Sequence, residues 1–203
     1  MTCIVGYIEK TNSKTTIYIG ADSAGISGHD ITLRNDPKVF IKTNKTDSFI
    51  FGFTSSFRMG QILMSSNFNP PVQKIDDTDF NYLITDFIDE IRKSFKNGGY
   101  LKKSDDGSDD GGTFLVGYRD KIYKIENDFQ VGEPLINYVS IGAGEDYALG
   151  AMSILDENND NVEDKIYKAL KTAEKFNTAV HKPFKILHIT KEVTNKHIKI
   201  KQN

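Results

Sequence analysis

The chain has little cysteine, little net charge and no long apolar run, and each shortage excludes a class of protein. Its single cysteine, Cys3, rules out an internal disulfide framework and any multi-cysteine metal site, so Cys3 reads as a small packed hydrophobe. The four histidines, His29, His181, His188 and His197, show no zinc-ligand spacing and no paired nucleophile. With 26 basic against 28 acidic residues the formal charge is -2. That balance lacks the basic field of non-specific nucleic-acid binding, and no nucleic-acid partner is expected. Runs such as Phe49 to Phe53 fall far short of the roughly 20 residues of a spanning helix. No charged segment precedes an apolar stretch at the N-terminus. The expectation is a cytoplasmic protein without a membrane partner, and the 203 residues suit one domain over 1–203.

Two further motifs fail on inspection. Asp106, Ser108, Asp110 and Gly111 have the opening spacings of a calcium loop, but Gly117 stands where the bidentate glutamate is needed. The glycines of Gly142 to Gly150 lack the GK[ST] ending of a phosphate loop. No cofactor and no metal is expected.

What is present is a clear change of period along the chain. Ile4 to Ile8 and Thr16 to Ala21 are β-branched and aromatic runs around the polar stretch Lys10 to Lys14, which predicts a hairpin beginning almost at the N-terminus. A second hairpin is predicted from Val39 to Lys42 and Ser48 to Thr54. A helix follows over Ser56 to Ser65. Phe80, Leu83, Ile84, Phe87, Ile88, Ile91 and Phe95 recur at spacings of three and four, predicting a long amphipathic helix with Asp79 as N-cap and Gly98-Gly99 as its stop. Ser104 to Gly112 reads as an acidic, glycine-rich loop. Strands are then expected at Thr113 to Tyr118, Lys121 to Ile125 and Val139 to Gly142, with helices at Glu145 to Leu155 and Val162 to Phe176. The expected final pair is Phe184 to Thr190 and His197 to Ile200. Interleaved groups of strands and helices argue for an α+β fold of antiparallel sheets flanked by helices, and against βαβ units.

The chemistry begins at the second residue. Small second residues permit methionine removal, so the mature chain is expected to begin at Thr2. A threonine hydroxyl alone is a poor nucleophile. Its own α-amino group, with a reference pKa of about 8, accepts the hydroxyl proton near neutral pH, so one residue supplies nucleophile and base. Its branched Cβ restricts χ1 and steadies the hydroxyl.

Beyond Thr2 stand IYIGADSAGISG from Ile17 to Gly28, NDPKVF from Asn35 to Phe40 and FIFGFTSS from Phe49 to Ser56. In the second half, SIGAGEDYALGA, Ser140 to Ala151, is a glycine-rich turn opening a helix, and KALKTAEKF, Lys168 to Phe176, lies in the next one. In these segments the sequence resembles the proteasome-type β subunits, N-terminal nucleophile hydrolases, and most nearly the peptidase subunit of the bacterial two-component ATP-dependent protease. The resemblance implies a four-layer αββα sandwich. It also implies Thr2 as nucleophile, Asp22 at the end of the second strand, Lys38 sixteen residues later and Gly52 fourteen beyond that as the oxyanion-hole glycine. Physically, a Lys38 ammonium near Thr2 lowers the pKa of nucleophile and amine, Asp22 orients Lys38, and the Gly52 N–H meets the developing oxyanion. Taken singly, Asp22 and Lys38 also suit a structural ion pair and Gly52 a packing glycine.

The implied function is hydrolysis of peptides or unfolded protein by a homo-oligomeric ring, with an ATPase unfoldase as partner. Two departures support an alternative, a catalytically weak or silent self-assembling structural or regulatory protein. Ala143 stands where the family has a serine between two glycines, and Asn177 and Val180 replace an aspartate and a serine that support the terminal amine in proteasomes. A third reading is acyl transfer to an amine in place of water.

Overall fold

The computed structural model describes residues 2–43, 47–67, 78–105 and 107–192. The first hairpin is β1, Ile4–Lys10, with β2, Lys14–Ala21, in register from Ile4 opposite Ala21 to Lys10 opposite Thr15. A short hairpin that the sequence did not announce follows, β3, Ala24–Ser27, and β4, Asp30–Leu33. The second expected hairpin is β5, Val39–Thr43, and β6, Ser48–Phe53. Helix α1, Phe57–Ser65, is capped by the Ser56 hydroxyl, which accepts from the Arg58 N–H.

The long helix departs from expectation in two ways. It runs as α2, Asp79–Tyr82, a π-helical stretch, Leu83–Phe87, and α3, Ile88–Asn97, with Gly98 as its C-cap. Its N-cap is Thr78 and not Asp79: the Thr78 hydroxyl accepts from the Asn81 N–H, leaving the Asp79 carboxylate in the first turn, where the helix dipole favours it. The wider π turns also rotate the apolar stripe, so Phe80 and Ile84 turn outward while Tyr82 and Leu83 are buried. The acidic loop is likewise not wholly irregular, because β7, Lys102–Lys103, pairs with β8, Asp109–Asp110. Next come β9, Phe114–Tyr118, β10, Lys121–Ile125, β11, Val131–Gly132, and β12, Tyr138–Ile141. Helices α4, Glu145–Leu155, and α5, Val162–Phe176, match expectation to the residue. The last described strand is β13, Lys185–Glu192, which pairs with β2. The strand expected at 197–200 lies outside the described residues.

Two antiparallel sheets result, one ordered β12-β1-β2-β13 and the other β11-β10-β9-β6-β5. Each is buried on both faces, which is why its central strands read as nearly continuous apolar runs. Residue shape sorts the faces. In β6, Phe49, Phe51 and Phe53 join Met59, Leu63, Phe87 and Ile91 in a core beneath α1 and α3. Ile50 of the same strand points the other way, into a layer with Ile4, Ile17, Ile19 and Leu115 between the sheets. Cys3, Val5, Ile166 and Leu170 form a third core beneath α4 and α5. Full burial of one such side chain contributes about 1.5–3 kcal/mol. The architecture is the expected αββα sandwich. Its loops at one end bring the starts of β1 and β5 beside the ends of β2, β6 and β12.

Candidate active site

Thr2 enters β1 at this end and is held from its own backbone. The N–H of Gly144 donates to the Thr2 carbonyl at 3.1 Å. Gly142 has φ +99°, and a Cβ there would stand 2.5 Å from the Thr2 carbonyl oxygen, so only glycine lets the turn close on the chain end. The Glu145 carboxylate accepts from the Gly142 N–H at 3.1 Å and fixes the turn.

Asp22 leaves the end of β2 with both carboxylate oxygens engaged. Oδ1 accepts from the Cys3 N–H at 3.0 Å and Oδ2 from the Ala24 N–H at 3.0 Å. Lys38 Nζ donates to both oxygens, at 2.9 and 3.0 Å. The two side chains are 0% and 2% exposed, so the ion pair is closed to water and lies one peptide from Thr2. Burial pushes the Lys38 ammonium below its ordinary range, against the opposing pull of Asp22. Cys3 is pushed up to about 12, chiefly by burial, which leaves its thiol inert as a nucleophile.

Thr2 and Lys38, both buried, form the floor of a cleft of about 380 Å³, lined also by residues of β3 and by Phe53, Thr54, Ser55, Ser56 and Phe57. Arg34 lines it too. Its guanidinium lies 3.9 Å over the Phe57 ring and forks onto Asp36, with Nε and Nη2 at 2.8 and 2.7 Å from the two oxygens. The pairing with Arg34 holds the Asp36 carboxyl below the usual carboxylate range.

The structure thus brings Thr2, Asp22 and Lys38 together and leaves Gly52 elsewhere. Gly52 lies inside β6, opposite Val39 on one side and Leu115 on the other, and does not line the cleft. A Cβ there would stand 2.6 and 2.7 Å from the Ile4 and Ile19 methyls, so its glycine serves close approach of the sheets. Its amide thus lies within the ladder of the sheet and not at the cleft, where an oxyanion donor is needed. The next two amides are also committed, Phe53 N to the Lys38 carbonyl and Thr54 N to the Thr113 carbonyl. The first free amide beyond the sheet is that of Ser55, which has no partner among the described residues. Ser55 is exposed at the cleft with φ 62°, a left-handed conformation unusual for serine. It is bridged by the Ser56 N–H to the Thr54 carbonyl at 2.7 Å and tied through its hydroxyl to the Thr113 N–H at 3.1 Å. In the sequence only the small polar run Thr54-Ser55-Ser56, between strand and helix, distinguishes this position, and it marks a turn without singling out Ser55.

Among the described residues no group of three or more His, Cys, Asp or Glu could hold a metal, and no helix is long and apolar enough to cross a membrane. No protein-family model and no curated protein matches the chain in sequence. Solved structures do match in three dimensions. The chain superposes on BPH from Thiobacillus denitrificans with a TM-score of 0.71 at 19% identity, covering 92% of this chain and 97% of that one. For eukaryotic HslV from Trypanosoma brucei the values are 0.60 and 16%, covering 92% and 98%. For Anbu, the ancestral beta-subunit, from Yersinia bercovieri they are 0.63 and 11%, covering 97% and 89%. With its two antiparallel sheets between helix layers, the chain has the proteasome β-subunit-type fold of the N-terminal nucleophile hydrolases, near HslV.

Proposed function

We propose that the chain is a threonine peptidase that cleaves peptide bonds of peptides or unfolded proteins with Thr2 after removal of Met1. One observation carries the reading: a single buried carboxylate, Asp22, binds both the Lys38 ammonium and the amide of Cys3, so a cation is fixed beside the residue that opens the cleft. The Thr2 hydroxyl attacks the substrate carbonyl, and the freed α-amine takes its proton and passes it to the leaving amine. Lys38 favours the deprotonated nucleophile through its field. The Ser55 N–H, and not that of Gly52, donates to the developing oxyanion; one such donor contributes on the order of 3 kcal/mol to the transition state. Water then releases the acyl group. A helical assembly is named for Anbu from Pseudomonas aeruginosa, and a homo-oligomer, as a ring of subunits served by an ATPase unfoldase, fits this reading.

The test is the mass of the mature N-terminus together with peptide turnover by wild type and Thr2→Ala. Loss of Met1 and of activity in the variant is expected; retained Met1, or unchanged turnover, refutes the proposal. Epoxomicin, found in complex with Thiobacillus denitrificans BPH, should bind this chain and fail to bind Thr2→Ala. A second reading, a catalytically silent self-assembling relative, is favoured by Ala143: this turn offers no hydroxyl, and its carbonyl is occupied by the Asn177 amide at 2.6 Å. Retained Met1 together with a large particle on size-exclusion chromatography would decide for it.

A further inference from the structure

We propose that Arg34 makes the cleft selective for an acidic side chain, Asp or Glu, on the substrate residue whose carbonyl is attacked. The inference rests on the peptidase reading above and deepens it. That residue becomes bonded to Thr2, so its side chain enters the cleft that Thr2 lines.

The charges of this cleft are arranged unequally. Its lining contains two cations, Arg34 and Lys38, and no carboxylate. Their partners, Asp36 and Asp22, are not among the residues that line it; Asp22 is sealed, and Asp36 is open to solvent along one edge of the guanidinium. Lys38 is consumed by Asp22, which takes its ammonium at both oxygens, and at 2% exposure it has little surface to offer a substrate. Arg34 differs. A guanidinium has five N–H donors, and Asp36 takes only Nε and Nη2, leaving Nη1 without a partner among the described residues. The group is also fixed: Asp36 holds one edge, and the Phe57 ring lies 3.9 Å beneath its face. A pre-positioned fork suits a second carboxylate better than a mobile lysine would. The carboxylates of Glu126 and Glu145 line a neighbouring hollow that shares Thr54 and Ser55 with the cleft, and do not line the cleft itself. The cleft is large enough for one extended glutamate beside the apolar faces of Phe53 and Phe57.

The experiment compares two peptides that differ only in that residue, glutamate against leucine, with the full-length protein of verified N-terminal mass. We expect kcat/KM about tenfold higher for the glutamate peptide, the size of a charge-assisted hydrogen bond discounted for the one-third exposure of Arg34. The preference should shrink with rising salt. In Arg34→Met the ratio should fall to about one through a raised KM for the glutamate peptide, and Arg34→Lys should lie between. Thermal melting establishes that each variant is folded, and Arg34→Gln replaces Arg34→Met if the latter is not. Leucine equal or preferred in wild type, or a ratio unchanged in the folded variant, overturns the inference and leaves the peptidase reading standing. Cleavage of neither peptide overturns both.

Discussion

Two ion pairs stand within one cleft and differ in almost everything but sign. Lys38–Asp22 is sealed, at 2% and 0% exposure, and its carboxylate is also bonded to the backbone at Cys3 and Ala24. Arg34–Asp36 is open, at 34% and 43%, and joins residues two apart in one loop. Burial changes what such a pair is for. A sealed pair gains little net stability over an apolar substitute, yet breaking it strands a charge. An open pair is screened by water, so its value lies in where it holds a guanidinium.

The comparison is tested hardest at Asp22. Asp22→Asn leaves the Lys38 ammonium buried without its counterion and is expected to cost about 3–5 kcal/mol in urea unfolding, and to abolish turnover. A loss below 1 kcal/mol would erase the distinction between the pairs. A packing lesion calibrates that figure. Gly52→Ala drives a methyl into Ile4 and Ile19 and should cost about 1–3 kcal/mol, independent of pH, while the protein that remains folded keeps its kcat. A fall in kcat of a hundredfold would restore Gly52 to the oxyanion site.

The pH dependence sharpens the contrast further. Burial depresses the Lys38 pKa below its ordinary 10.5, so between those two values the unfolded chain binds more protons than the folded one. Stability therefore rises with pH across that window relative to Lys38→Met, whereas turnover falls as the ammonium loses its proton. Paired unfolding and pH–rate curves should show these opposite slopes. The smallest effect belongs to the open pair. Asp36 has a depressed pKa, so its contribution is present above 3.8 and is lost as the pH falls below it. Asp36→Asn should cost less than about 1 kcal/mol near neutrality, and less still in high salt.

Most of the sandwich was legible in the sequence because its strands are buried on both faces and its helices on one, giving two distinct periods. The β1–β2 and β5–β6 hairpins and helices α4 and α5 followed directly. The β3–β4 hairpin did not, since its outer strand, with all four residues exposed, carries no alternation to read. The π-helical stretch escaped because an i, i+4 pattern cannot register one wider turn. At the site, the resemblance implied Asp22 and Lys38, which flank the regular strands β2 and β5 and so kept their places. The resemblance implied Gly52 as the oxyanion donor from its place in the sequence, and sequence alone does not show where the sheet's hydrogen bonds end. A serine with φ 62° also bears none of the compositional mark that a glycine leaves.

The hold on Thr2 has a practical consequence for how the protein is made. Its carbonyl is taken by Gly144, and the following amide by Asp22, so residues 2 and 3 are as fixed as the middle of a strand. Any peptide fused ahead of Thr2 must therefore depart from a stationary point at the mouth of the cleft. An affinity tag placed there would compete with whatever the cleft is built to receive, so it belongs at the other end of the chain.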